Sequence, residues 1–230
     1  MKPERLKVLK YKLLAIVFGF TFAVKLMENG EENAQSEYQL LEDEVPESVS
    51  IRAQEVEHEQ ALISMLDEER LQYVGSMVLG LNDALVELTG AIAGVTFALA
   101  NTRLVALTAI ITGVSATFSM AASNYLAERA DNNPKALKSS IYTGFAYLIT
   151  VALLVLPYLL FPTNMYVPAF AVMLATVIFI IMFFNYYISV AKEEPFLKNF
   201  VTMAVISLSV AVISYVIGVV AKVLLGVDAL

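Results

Sequence analysis

Leu79–Leu99, LGLNDALVELTGAIAGVTFAL, decides how this chain is read. The stretch has the length and apolar content of a membrane-spanning helix, yet Asp83 and Glu87 sit inside its apolar run. Four residues apart on a helix, the two carboxylates share one face. A carboxylate at bilayer depth is costly, so it faces a water-filled path or a partner rather than lipid. One reading is therefore a path for cations and protons. The other is a pair of helix-end residues reaching back to the interface, since Tyr73 is close by.

Outward from this stretch the chain is strongly apolar. Of its 230 residues 58% are hydrophobic, above the ~45–50% usual for soluble domains. The sequence predicts an all-α membrane protein with five spans, at roughly 74–100, 104–126, 139–161, 167–190 and 200–225. Loops on the starting side carry Arg129, Lys135, Lys138, Lys192 and Lys198, and the far side carries Arg103 and Lys222. That bias predicts a cytoplasmic N-terminus and an external C-terminus. Pro157, Gly90, Gly94 and Gly113 are candidate flex points within the spans. With no cysteine there is neither a disulfide framework nor a Cys-based zinc site.

The net charge of −7 is unevenly spread. Fourteen acidic residues lie between Glu28 and Arg70 against Arg52 and Arg70 alone, so the rest of the chain is net positive. An acidic polar portion on a membrane body excludes nucleic acid as partner and favours cations.

Residues 1–27 open with Lys2, Arg5, Lys7, Lys10 and Lys12, followed by the apolar run Leu13–Val24. Twelve apolar residues fall short of the ~20 that span a bilayer, and no small-residue cleavage site follows. They predict a basic helix lying in the cytoplasmic interface against membrane lipids, with a sixth span as the alternative. Residues 28–72 form two polar stretches around Pro46. The first sets Glu31, Ala34, Tyr38 and Leu41 on one helical face, and the second sets Glu55, His58, Leu62 and Met65 on another. An antiparallel helical hairpin is expected. Residues 73–230 are the five-span domain.

The second span has its own polar and soft cluster: Thr117, Ser119, Met120, Ser123, Asn124 and Tyr125, set among small residues. Small residues let helices approach closely, which by itself accounts for such a composition. Beside a carboxylate-bearing helix, Met120 also offers a thioether, and hard oxygens plus one soft sulfur suit a borderline metal such as Fe²⁺.

Gly80-Leu81-Asn82-Asp83-Ala84-Leu85, then Gly90 and Gly94, then Ser119-Met120-Ala121-Ala122-Ser123-Asn124-Tyr125-Leu126 resemble the vacuolar iron transporter family. The likeness runs from about Tyr73 to Val227. It implies a homodimer that moves Fe²⁺, and often Mn²⁺, out of the cytosol in exchange for protons. Asp83 matches the family's first-span aspartate and Met120 its second-span methionine, both of which line the ion path between the two copies. Asn82, Glu87 and Asn124 are candidate lining residues beside them. Two departures stand out. Thr112 stands where plant-type members carry a second-span glutamate, and Glu87 stands where they carry an apolar residue, so Glu87 is a candidate replacement carboxylate. The short segment 127–138 also has no room for the glutamate-rich metal-binding domain that plant members insert there.

The hairpin carries a second resemblance. Glu31-x-x-Ala34-x-x-x-Tyr38 and Glu55-x-x-His58 are similar to half of a rubrerythrin or ferritin-like di-iron unit, which some prokaryotic members of the transporter family carry at the N-terminus. A complete unit needs a Glu from each of two helices and a Glu-x-x-His from each of two others. Two chains would supply that set through Glu31, Glu55 and His58, giving a di-iron site shared across a dimer. The alternative for His58 is a solvated residue. The expected whole is a Fe²⁺ and Mn²⁺ exporter in a prokaryotic cell membrane, with a cytosolic ferritin-like hairpin that delivers iron. The rivals are a membrane-anchored di-iron ferroxidase, a Mn²⁺-selective exporter, and a storage or sensing module.

Overall fold

The computed structural model describes residues 5–18, 22, 23, 25, 26, 73–192 and 194–226. Regular structure among them is helical throughout: α1 (Arg5–Phe18), α2 (Val74–Leu99), α3 (Thr102–Ala130), α4 (Ala136–Leu160), α5 (Tyr166–Lys192) and α6 (Phe196–Leu225). The last five are long and apolar enough to cross a membrane. At about 1.5 Å per residue they exceed the ~30 Å hydrocarbon core, so their ends continue as helix beyond it. This is why α3 and α4 run several residues past the apolar stretches that mark them in the sequence.

The turns are short and chemically explicit. Between α2 and α3 only Ala100 and Asn101 are non-helical. Ala100 takes the left-handed conformation at φ 47°, and its N–H donates to the Thr96 carbonyl. Asn101 then caps α3, its side chain accepting from the N–H groups of Arg103 and Leu104. Between α3 and α4, Asn132 is the other non-glycine residue with positive φ (58°) among the described residues, a conformation that asparagine tolerates.

The chain divides into two compact units, one of Tyr73–Asn185 with Phe196–Leu230 and one of Met1–Gln72 with Tyr186–Pro195. In the second, Phe22 stacks on Tyr187 with ring centroids 5.3 Å apart, and Val190, Ala191, Leu14 and Leu26 complete a small apolar cluster. Helix α1, at 14 residues, is about 21 Å long.

In the first unit α2 is the hub, packing against α6, α4 and α3, while α3 also packs on α4. Cross-helix contacts fix the register. Ser76 meets Ser139, Glu87 meets Tyr147 and Thr96 meets Tyr158, so α2 and α4 run parallel. Asn124 meets Ser139, so α3 runs antiparallel to α4. A Cβ added at Gly144 would lie 3.1 Å from Ala121 Cβ, and one at Gly113 would lie 2.5 Å from Val151 Cγ1. On the other side of α2 the approach to α6 is closer still. A Cβ at Gly94 would sit 3.1 Å from the Ser214 carbonyl oxygen, and one at Gly218 would overlap the Gly94 carbonyl oxygen. Gly90, Gly94 and Gly113, the candidate flex points, are thus places where helices pack closely. Pro157 lies inside α4, which continues unbroken to Leu160.

Candidate functional site

Asp83 is the tenth and Glu87 the fourteenth of the 26 residues of α2. Both therefore lie within the helix, more than two turns from its first residue. Asp83 is partly buried and Glu87 is exposed on the outside of a single copy. The register places Asp83 in depth. On α2 it lies between Gly80, which abuts Thr143, and Glu87, which meets Tyr147. Gly144 faces Ala121, so Met120, partly buried on α3, lies at the same depth as Asp83. Asn82 is partly buried beside it. Two carboxylates and a thioether thus share one zone of the membrane on neighbouring helices.

Asn124 takes a different place. It is buried, and its Nδ2 donates to Ser139 Oγ at 3.1 Å. Ser139 is the centre of a polar clasp at the α3–α4 end of the bundle. Its hydroxyl lies 2.5 Å from Ser76 Oγ and 2.8 Å from Glu128 Oε1, to which it donates. Asn133 Nδ2 donates to Glu128 Oε2 at 2.6 Å. The Thr143 hydroxyl donates to the Ser76 carbonyl at 3.0 Å, which ties α4 to the first turn of α2. Glu128 was not among the expected residues, although its spacing of four from Asn124 puts both on one helical face.

Tyr147 is the other unexpected participant. Its ring is fully buried between helices, and its hydroxyl donates to Glu87 Oε2 at 3.1 Å. A buried tyrosine needs a partner for its hydroxyl, so its presence in the third span was a readable signal. Tyr158, about three turns further along α4, pairs instead with the Thr96 hydroxyl at 2.7 Å.

Among the described residues no three His, Cys, Asp or Glu side chains converge as a metal cluster. Of the three donors expected on the path, Asp83 and Met120 are partly buried and Glu87 is exposed. A separate concavity of about 360 Å³ between α2, α5 and α6 is lined by Phe97, Phe170, Leu174, Leu208 and Tyr215 among others, and it offers apolar surface where a cation needs donors. Glu31, Glu55 and His58 lie outside the described residues, as does the whole expected hairpin. Comparison with curated proteins gives no match. Residues 74–134, which hold Asp83, Glu87, Met120 and Asn124, match the model of the VIT family, a likeness that takes in the first two of the five helices long and apolar enough to cross a membrane.

Proposed function

We propose that the protein exports divalent transition-metal cations, Fe²⁺ and also Mn²⁺, from the cytosol in exchange for protons. The observation that carries this reading is the carboxylate pair of α2, placed well inside the span and level with Met120 of α3. Lipid cannot stabilise a carboxylate there, so an ion, a proton or a second protein surface must face it. A second copy related by a two-fold axis would double the donors to four carboxylates and two thioethers around one path. An arriving cation displaces protons from these carboxylates, and exposure of the emptied site to the other side returns them. Met120 contributes softness that favours Fe²⁺ over alkali cations. Asn82 lines the entrance beside Asp83, while Asn124 and its clasp hold the cytosolic ends of α2, α3 and α4 together. The N-terminal Glu31, Glu55 and His58 supply a collecting site for iron, completed across the dimer.

The test is flux. Protein reconstituted into liposomes is offered Fe²⁺, Mn²⁺, Co²⁺ and Zn²⁺ in turn while internal pH is recorded. Metal entry coupled to proton movement in the opposite sense is expected. Metal-dependent O₂ consumption without flux would replace the exporter by a ferroxidase.

A further inference from the structure

Helix α1 packs by one edge and is bare on another. Leu14 packs against the apolar cluster of Phe22, Val190 and Ala191. Leu9 and Leu13, four residues apart and so on a shared face, are 55% and 54% exposed. Helical geometry sets Lys10 to one side of that leucine pair and Lys12 to the other, and both lysines are exposed. In sequence the same helix also carries Arg5 and Lys7, with no acidic residue.

The cluster fixes where this bare face lies. Helix α5 has 27 residues, about 40 Å of helix against a hydrocarbon core of about 30 Å. Tyr187, Val190 and Ala191 belong to its last two turns, at the end that carries Lys192. An unbroken helix would set Leu14 and Leu26 about 18 Å apart, yet both pack against the same Phe22, Val190 and Ala191. A segment running along α5 would spread those contacts, so this one gathers at the end of α5, level with the headgroups.

We propose that α1 docks on an anionic phospholipid surface. Leu9 and Leu13 enter the boundary between headgroups and acyl chains, Lys10 and Lys12 reach out on either side to lipid phosphates, and Leu14 holds the helix to α5. Lysines that flank an apolar strip satisfy both demands at once, because their methylene stems lie along the apolar layer while the ammonium groups stay among the headgroups. A lysine near an anionic surface strengthens binding about fivefold, so the two together are worth about 25-fold. The inference holds whichever ion the spans carry.

The chain has no tryptophan, so Leu13→Trp places a sole fluorescent reporter at an exposed position of the full-length protein. The protein is reconstituted into phosphatidylcholine bilayers with and without phosphatidylglycerol, and its fluorescence is quenched by lipids brominated near the headgroup or near the acyl end. In the anionic bilayer the shallow bromines should quench more than the deep ones. The ratio of docked to free α1 should fall by about 25-fold when Lys10→Gln and Lys12→Gln are added, and it should fall likewise in the neutral bilayer. Leu9→Trp, one turn away, repeats the measurement where Leu13→Trp does not fold. Equal shallow quenching in both bilayers would overturn the proposal. So would strongest quenching by the deep bromines, the mark of a sixth span, or quenching by neither, the mark of a protein partner on this face.

Discussion

Replacing Ser139 by Ala removes the centre of the clasp and nothing else of comparable size. Ser139 is 1% exposed, and its hydroxyl meets three partners on two other helices: Ser76 of α2, Asn124 and Glu128 of α3. The bonds to Ser76 and Asn124 are between neutral, buried groups and are worth about 1 kcal/mol each. The bond to Glu128 is charge-assisted but only partly buried, so it counts at the low end of its class, about 1.5 kcal/mol. With buried partners left unsatisfied, Ser139→Ala should lower stability by about 3.5 kcal/mol. Reversible unfolding in mixed micelles, compared with the control Ser119→Ala on the exposed face of α3, reads this directly. Ser139→Ala should also slow metal flux, because the ends of α2, α3 and α4 lose their common tie. A loss below about 0.5 kcal/mol, no larger than a surface substitution, would refute the reasoning and leave the clasp without a structural role.

Other expectations address the path itself. Asp83→Asn should reduce Fe²⁺ flux in liposomes to background while the protein stays folded and elutes as wild type, since the amide keeps the volume and removes the charge; normal flux would remove Asp83 from the site. Met120→Leu should slow Fe²⁺ flux by more than Mn²⁺ flux, because the volume is retained and only the sulfur is lost; equal losses would make Met120 a packing residue. Joint replacement of Glu31 and Glu55 by Gln should lower bound iron per protein and slow export at low iron while sparing it at saturating iron, and unchanged iron content would return those residues to a solvated acidic surface.

The five spans were legible because apolar runs of more than twenty residues have few other interpretations, and their ends were misjudged by about a turn because helix continues past hydrocarbon. Asp83 and Glu87 were legible as anomalies of composition. What could not be read was register. Nothing in the sequence says that Glu87 meets Tyr147 rather than Tyr142 or Tyr158, because that depends on how far α4 slides along α2. The shared depth of Asp83 and Met120 has the same origin, through the Gly144–Ala121 contact. Glu128 falls in 127–138, which the sequence reads as the connection between two spans, whereas α3 runs to Ala130 and carries it into the clasp. The close packing at the glycines was not legible either: a residue without a side chain reads equally as a joint or as a place of touching, and the sequence does not name the partner.

Helix α2 is held by its backbone on two sides. At Gly80 it abuts the Thr143 carbonyl of α4, and at Gly94 its own carbonyl abuts Gly218 of α6. With no side chains at these points to flex, twisting α2 about its axis would drive peptide groups into one another. The exchange proposed above therefore calls for movements that carry α2 along with its neighbours at these two seams, rather than a twist of α2 alone.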